Sequence, residues 1–265
     1  MHRAPWPYPR VLAHRGGGAF APENTVAAIR VGSERGFRAV EFDAMLSADG
    51  EAVLIHDVTL ERTTNGTGPV AASSWAQLSR LDAGSWFSKE FAGEPIPRLL
   101  DALGFCRSHA VWSNVEIKPS PGDERRTGAV VADVVTRAFA DLLKDGARPG
   151  ELPDPSVPLL SSFSVDALEA AREQAPALAY GLLVERIPRD WRTRLERLGC
   201  VALHCDHRHL DAKSALSVRE AGYWLFVYTV NDRPRALELV KWGVDAFCTD
   251  RLDRIEPSLL DARGP

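Results

Sequence analysis

Short runs rich in Val, Leu and Ala recur along the chain, separated by longer stretches in which apolar residues return every three to four positions. Strands buried on both faces read as near-continuous apolar runs and their crossovers as amphipathic helices, so the alternation predicts a parallel α/β sheet. The strand candidates are Val11–His14, Ala39–Met45, Ala52–His56, Val111–Ile117, Pro158–Phe163, Ala177–Val184, Cys200–Cys205, Trp224–Val230 and Ala246–Thr249. Helices are expected over Asn24–Glu34, Arg126–Lys144, Val165–Gln174, Arg189–Arg197, Ala212–Glu220 and Arg233–Lys241. Several open on a capping residue, such as Asn24, Ser164 or Asn231-Asp232, and stop near Gly36, Gly199, Gly222 or Gly243.

The strand candidates exceed an eight-fold barrel by one, and Asp49-Gly50 between two of them explains the surplus as a hairpin. One arm is then an extension, not a stave. With Asp49 and Gly50 as a two-residue loop, Ala48 faces Glu51 and Asp43 faces His56. The stretch from Asp57 to about Leu99 breaks the rhythm with Thr63-Thr64-Asn65-Gly66-Thr67-Gly68-Pro69 and then Trp75, Trp86, Phe87 and Phe91. It reads as a small insertion over one rim. Pro149–Pro158 reads as a plain loop and both termini as tails. With no internal repeat or second-domain linker, the expectation is one barrel over 1–265 carrying an insertion at about 57–99.

The length of 265 residues suits either two ordinary domains or one α/β barrel, and 45% hydrophobic with 26% charged residues is an ordinary globular balance. A net charge of -4 supplies no basic face for nucleic acid. No apolar run approaches the roughly 18 to 20 residues of a membrane span, and Met1–Pro7 lacks the apolar core of a signal peptide. Cys106, Cys200, Cys205 and Cys248 form no CxxC pair and read as buried apolar residues. These features together suggest a soluble, cytoplasmic protein.

Candidate chemistry begins at the hairpin. Glu41 and Asp43 project to one face of their strand, and the register brings His56 to it. Two carboxylates about 4 Å apart repel by roughly 4 kcal/mol at an effective dielectric of 20, so a positive charge is expected among them. Taken alone, Glu-x-Asp on a strand is most simply an outward polar face. The spacing recurs, however, in Glu116-Ile117-Lys118, and the C-terminal ends of parallel barrel strands share one mouth. Three carboxylates meeting there would suit one hard divalent cation, Mg²⁺ or Ca²⁺, better than zinc. His14-Arg15-Gly16-Gly17-Gly18 ends the first strand, and Pro22-Glu23-Asn24-Thr25 opens a helix. Glycines permit close backbone approach and a helix N-terminus attracts anions, which in isolation is a weak phosphate signal. Arg15 and Lys118 beside a hard cation are what a phosphoryl group needs.

Through nearly its whole length the chain resembles the glycerophosphodiester phosphodiesterase family. The matching segments are His14-Arg15-Gly16 with Pro22-Glu23-Asn24-Thr25, Glu41-Phe42-Asp43, Asp49-Gly50, His56-Asp57, Glu116-Ile117-Lys118, Ser162-Phe163, Thr229-Val230-Asn231, and Gly243-Val244-Asp245 with Thr249-Asp250. The resemblance implies a TIM-type (β/α)8 barrel with a small insertion after the third strand-like motif. It also implies metal-dependent hydrolysis of small glycerophosphodiesters to sn-glycerol 3-phosphate and an alcohol. Carried over by position, Glu41, Asp43 and Glu116 would bind the cation, His14 and His56 would be the acid–base pair, and Arg15 and Lys118 would hold phosphate oxygens; within the pair we take His14 as base and His56 as acid. Phe163 and Tyr228 would contact substrate, although Tyr228 stands where the family usually has Trp.

Trp86 and Phe87 could line the alcohol pocket or fill the core. The run His204-Cys205-Asp206-His207-Arg208-His209 looks like a metal cluster but straddles a strand end and a loop, which works against convergence. The competing functions are a phospholipase C- or D-like enzyme that cyclises a neighbouring hydroxyl of an intact lipid onto phosphorus, and a barrel that only binds phosphodiesters. The reaction has two routes open to it, attack by water and attack by the substrate's own 2-hydroxyl through a cyclic phosphate.

Overall fold

Along residues 5–143 and 152–260, which the computed structural model describes, helices and strands alternate almost without exception. They run β1 (Val11–Ala13), α1 (Val26–Glu34), β2 (Ala39–Leu46), β3 (Ala52–Leu54), α2 (Trp75–Leu78), α3 (Leu99–Ser108), β4 (Trp112–Ile117), α4 (Glu124–Ala138), β5 (Leu159–Ser162) and α5 (Val165–Gln174). There follow β6 (Ala179–Val184), α6 (Trp191–Leu198), β7 (Ala202–Asp206), α7 (Ala212–Glu220), β8 (Trp224–Tyr228), α8 (Arg233–Lys241) and β9 (Ala246–Thr249). Each neighbouring pair from β1 through β2, β4, β5, β6, β7, β8 and β9 is parallel, and β9 returns to β1, so eight strands close a TIM-type barrel. β3 is antiparallel to β2 and stands outside the ring as the expected extension.

The hairpin register differs from the expected one by one residue. Ala44 faces Leu54 and Leu46 faces Ala52, and the carbonyl of Asp43 accepts from the Ile55 N–H at 3.2 Å. The loop is Ala48-Asp49-Gly50, closed by the Ser47 N–H to the Glu51 carbonyl at 2.9 Å. Gly50 takes φ +87°, the left-handed residue that ends a three-residue hairpin loop. Ser47 Oγ donates to Asp49 Oδ1 at 2.6 Å, which holds the wider turn. His56 therefore reaches the barrel mouth because the chain leaves the strand after Ile55, not because it opposes Asp43 in a ladder.

Along each stave, residues alternate between two cores. Val40, Phe42, Val115, Leu160, Leu203 and Val227 pack outward under the helices, whereas Leu12, Ala39, Trp112, Leu159, Ala202 and Trp224 fill the barrel interior. Trp6 and Tyr8 belong to that interior cluster: Tyr8 stacks on Trp112 at 4.2 Å and Trp6 meets Trp224 edge-on at 5.3 Å. This stretch is a plug across the barrel's lower end and not the tail expected, because two exposed aromatics gain by covering Trp112 and Trp224. The remaining tail residues 1–4 and 261–265, Lys144 at the expected end of α4, and the start of the Pro149–Pro158 loop lie outside the described residues.

α3 was not expected. Its Leu99, Ala102, Leu103 and Cys106 repeat with helical spacing and are buried, but Arg98 at its start offers no side-chain cap, so the usual opening signal is missing. α1 begins after Thr25, whose hydroxyl accepts from the Ala28 N–H; Asn24, the expected cap, is used elsewhere. Between β3 and α3 the chain builds a small core of its own from Leu60, Val70, Leu78, Ala83 and Ile96 against Met45, Val53 and Ile55.

Candidate functional site

The C-terminal ends of the staves enclose a cavity of about 250 Å³. β2 carries Glu41 and Asp43, β4 carries Glu116 with Lys118 just beyond it, and His14 and Arg15 follow β1. His56 follows β3, Phe163 follows β5, and Tyr228 ends β8. All nine residues expected to serve in catalysis, cation binding or substrate binding line this one cavity.

Glu41, Asp43 and Glu116 each place a carboxylate oxygen within 4.8 Å of the others. The positive charge expected among them is present: Lys118 Nζ lies 3.2 Å from Asp43 Oδ1 and 3.4 Å from Glu116 Oε1, and Arg15 Nε lies 3.7 Å from Asp43 Oδ2. Burial and then the charge of Asp43 push the Glu41 carboxyl up to about 7 and that of Glu116 up to about 8. Burial also works against the Asp43 carboxylate, but Lys118, Arg15 and His56 outweigh it and hold it below its ordinary value. Three oxygen donors, two of them reluctant to ionise beside the third, fit a hard cation, whose charge would offset the repulsion.

Asp43 is fixed by Asn24, whose amide donates to Oδ2 at 2.9 Å and whose Oδ1 accepts from the Asp43 backbone N–H at 3.0 Å. This is why Asn24, in the left-handed region at φ +59°, does not cap α1. The glycine run brings the chain back under β1 and α1: at Gly16, φ +91°, a Cβ would lie 2.9 Å from the Ile29 nitrogen. The N-terminus of α1 does not face the cavity as an anion site, because Glu94 from the segment before α3 already accepts from the Ala27 N–H at 2.9 Å.

His14 and His56 each have a carboxylate behind the ring. His14 Nδ1 lies 2.6 Å from Asp250 Oδ1, and its Nε2 lies 3.7 Å from Glu41 Oε2. Asn231 holds Asp250 by donating to Oδ2 at 2.9 Å and accepting from the Asp250 N–H at 2.8 Å. His56 Nδ1 lies 2.6 Å from Asp57 Oδ1. Asp57 is gripped in turn by Arg62, Nε to Oδ2 at 2.5 Å and Nη2 to Oδ1 at 2.9 Å, while the same guanidinium reaches both oxygens of Glu23. Burial disfavours the imidazolium of His14, yet the hydrogen bond to Asp250 and the charges of Glu41 and Asp250 raise its pKa above the ordinary value. For His56 burial is again the largest influence, and with Arg15 and Lys118 it prevails over Asp43 and Asp57 and lowers the pKa.

Phe163, 47% exposed, meets Tyr228 edge-on at 5.9 Å, and the Tyr228 hydroxyl donates to the Val184 carbonyl at 2.8 Å. The pair forms one wall. Trp86 and Phe87 pack on each other at 5.7 Å, Trp86 donates to the Ala83 carbonyl at 2.8 Å, and neither lines the cavity. The histidine run that begins in β7 does not gather into a metal cluster among the described residues. His204 points into the barrel, whereas His207 and His209 sit on the following turn and Asp206 pairs with Arg208 at 2.6 Å.

Asn24, Asp57, Asn231 and Asp250 stand in the matching motifs, but the sequence assigns none of them a part in the chemistry. Asn24, Asn231 and Asp232 had been read as helix caps, and only Asp232 caps, accepting from the Arg235 N–H at 3.0 Å. Arg62 gave no signal and Glu23 only its place in the Pro22–Thr25 motif, since their pairing depends on a fold-back across 39 residues.

Comparison with known proteins gives a consistent result. Residues 14–254 match the model of the glycerophosphoryl diester phosphodiesterase family. The chain is 32% identical over 241 residues to a glycerophosphodiester phosphodiesterase of Caldanaerobacter subterraneus subsp. tengcongensis, covering 91% of this chain and 93% of that one. Among solved structures, an Oleispira antarctica phosphodiesterase in complex with the product sn-glycerol-3-phosphate superposes with a TM-score of 0.85 at 36% identity, covering 96% of this chain and 97% of that one. A glycerophosphodiester phosphodiesterase from Agrobacterium tumefaciens superposes with a TM-score of 0.73 at 27% identity, covering 96% and 99%.

Proposed function

The chain belongs to the glycerophosphoryl diester phosphodiesterase family and hydrolyses glycerophosphodiesters, and we propose that it does so with one divalent cation at Glu41, Asp43 and Glu116 and with His14 and His56 exchanging protons. The observation that carries this reading is the convergence of three carboxylate oxygens within 4.8 Å beside two oriented imidazoles. A cation held there, Mg²⁺ or Ca²⁺, would supply Lewis-acid polarisation of a phosphoryl oxygen.

The chain's own groups account for the proton inventory. Displacement at phosphorus forms a bond to an incoming oxygen, from water or the substrate's 2-hydroxyl, and breaks the bond to the departing alcohol, so one group accepts a proton and another donates one. Both histidines have an aspartate on Nδ1, but Asp57 is already neutralised by Arg62 whereas Asp250 meets only the neutral amide of Asn231. His14 is therefore the more basic imidazole and the proton donor to the leaving oxygen, and His56 is the acceptor. These electrostatics favour the order opposite to that drawn from the sequence. Arg15 and Lys118 face the phosphate and stabilise charge that grows in the transition state. Phe163 and Tyr228 contact the organic part of the substrate.

Among the described residues no helix is long and apolar enough to cross a membrane, and a cavity of about 250 Å³ suits a small diester better than an intact lipid. The four buried, unpaired thiols support a cytoplasmic site of action. The decisive experiment is an assay of sn-glycerol 3-phosphate release from glycerophosphocholine with and without chelator. No release with either Mg²⁺ or Ca²⁺ present would remove the reading.

A further inference from the structure

Beside the carboxylates, with Asn114 opposite Glu41 in the β2–β4 register, the barrel interior holds two polar side chains that the proton transfers do not use. His204 on β7 is fully buried, its ring lies against Phe226 with centroids 4.6 Å apart and planes 28° from parallel, and neither ring nitrogen has a hydrogen-bond partner among the described residues. Asn114 on β4 is 3% exposed; its amide donates to Ser161 Oγ at 3.0 Å, and its Oδ1 has no partner among the described residues. Both line the substrate cavity. The fold reserves space for the imidazole: a Cβ at Gly181 on β6 would lie 2.5 Å from His204 Nε2.

Unpaired polar atoms are costly in a core, and where they persist they point to a partner that arrives later. The chemistry of that partner follows from what is offered. A neutral imidazole gives one donor and one acceptor, and the amide oxygen gives an acceptor. Phosphate oxygens accept only and already face Arg15 and Lys118, while a trimethylammonium head group neither donates nor accepts. A hydroxyl does both. With phosphorus held among Arg15, Lys118 and the carboxylates, the three-carbon glycerol is the part of the substrate that can carry hydroxyls to the rest of the cavity lining, and its terminal hydroxyl reaches furthest from phosphorus.

Resting on the phosphodiesterase reading and extending it, we propose that His204 and Asn114 form the floor of a glycerol subsite and hydrogen-bond the terminal glycerol hydroxyl, which makes them specificity-determining residues. A site that leaves buried polar groups unpaired when a hydroxyl is missing discriminates strongly against the analogue without it.

The test compares sn-glycero-3-phosphocholine with (2-hydroxypropyl)phosphocholine, which keeps the 2-hydroxyl and lacks only the terminal one. Wild type should prefer the former in kcat/KM by on the order of 10². His204→Leu should lower that preference at least about ten-fold, the loss falling more heavily on the glycerol substrate than on the deoxy analogue. His204→Gln, which retains a donor and an acceptor, should restore most of the preference. Equal losses on both substrates, or an unchanged preference, would overturn the proposal. Should His204→Leu not fold, inhibition of wild type decides: 2-hydroxypropyl phosphate should inhibit at least about ten-fold more weakly than sn-glycerol 3-phosphate, and equal inhibition overturns the assignment. Absence of any glycerol 3-phosphate release by wild type would instead sink the phosphodiesterase reading, so the two failures are distinct.

Discussion

The Asp250 carboxylate accepts a hydrogen bond from Nδ1 of His14 at 2.6 Å, which turns Nε2 toward the cavity and stabilises the imidazolium. Asp250→Asn keeps the shape and removes the charge. It should lower kcat by about 10² with little change in KM, because the imidazole would lose its orientation and its basicity but no substrate contact. Steady-state kinetics on glycerophosphocholine check this. A KM effect larger than the kcat effect would show that Asp250 acts on binding.

The proton order is tested by the leaving group. An ester of p-nitrophenol departs without protonation, so the variant lacking the donor should recover on such a substrate and the variant lacking the acceptor should not. His14→Ala should lose about 10² to 10⁴ on glycerophosphocholine and far less on glycerol-phospho-p-nitrophenol, while His56→Ala should lose similarly on both. The reverse pattern would restore His14 as base and His56 as acid.

Removal of the cation should abolish turnover, and Glu116→Gln should weaken cation affinity at least about ten-fold while leaving the barrel folded. Titration of Mg²⁺ or Ca²⁺ into chelated enzyme, read by activity and by isothermal calorimetry, measures both. Full activity after exhaustive chelation, retained in Glu116→Gln, would show that the carboxylates serve only to position Arg15 and Lys118.

What the sequence made legible was whatever depends on periodicity. Glu41 with Asp43 and Glu116 with Lys118 share faces because side chains alternate along a strand, and closing the barrel had to bring those faces to one mouth. The hairpin register was misread because Asp49-Gly50 fits both a two-residue loop and the last two residues of a three-residue one; only Ser47 and Gly50 together distinguish them. Groups that act through distant partners were not legible. Arg62 means nothing until the chain folds Asp57 and Glu23 against it, and Trp6 and Tyr8 look like a tail until Trp112 and Trp224 stand beneath them. Asn24 and Asn231 carry the same ambiguity in small form, since an asparagine beside a helix start serves equally as a cap or as a clamp on a neighbouring carboxylate.

His204 also fixes a pH dependence of stability. Burial pushes its pKa down to about 3, whereas in the unfolded chain an imidazole titrates near 6.5. Above about pH 6.5 both states are neutral and the residue contributes no pH dependence. As the pH falls below that, the unfolded chain takes up a proton that the folded protein refuses, so stability declines until the folded pKa near 3 is reached. At about pH 5 the loss amounts to about 2 kcal/mol, and since the ring is fully buried no solvent screening reduces it. His204→Leu removes this share while leaving every other titrating group in place. Urea unfolding of wild type and variant at about pH 7.5 and about pH 5 should therefore show the gap between them shift by about 2 kcal/mol in favour of the variant at the lower pH. A gap that is the same at both pH values would mean that His204 accepts a proton in the folded state, and hence that the imidazole is not enclosed as its position between Phe226 and Gly181 requires.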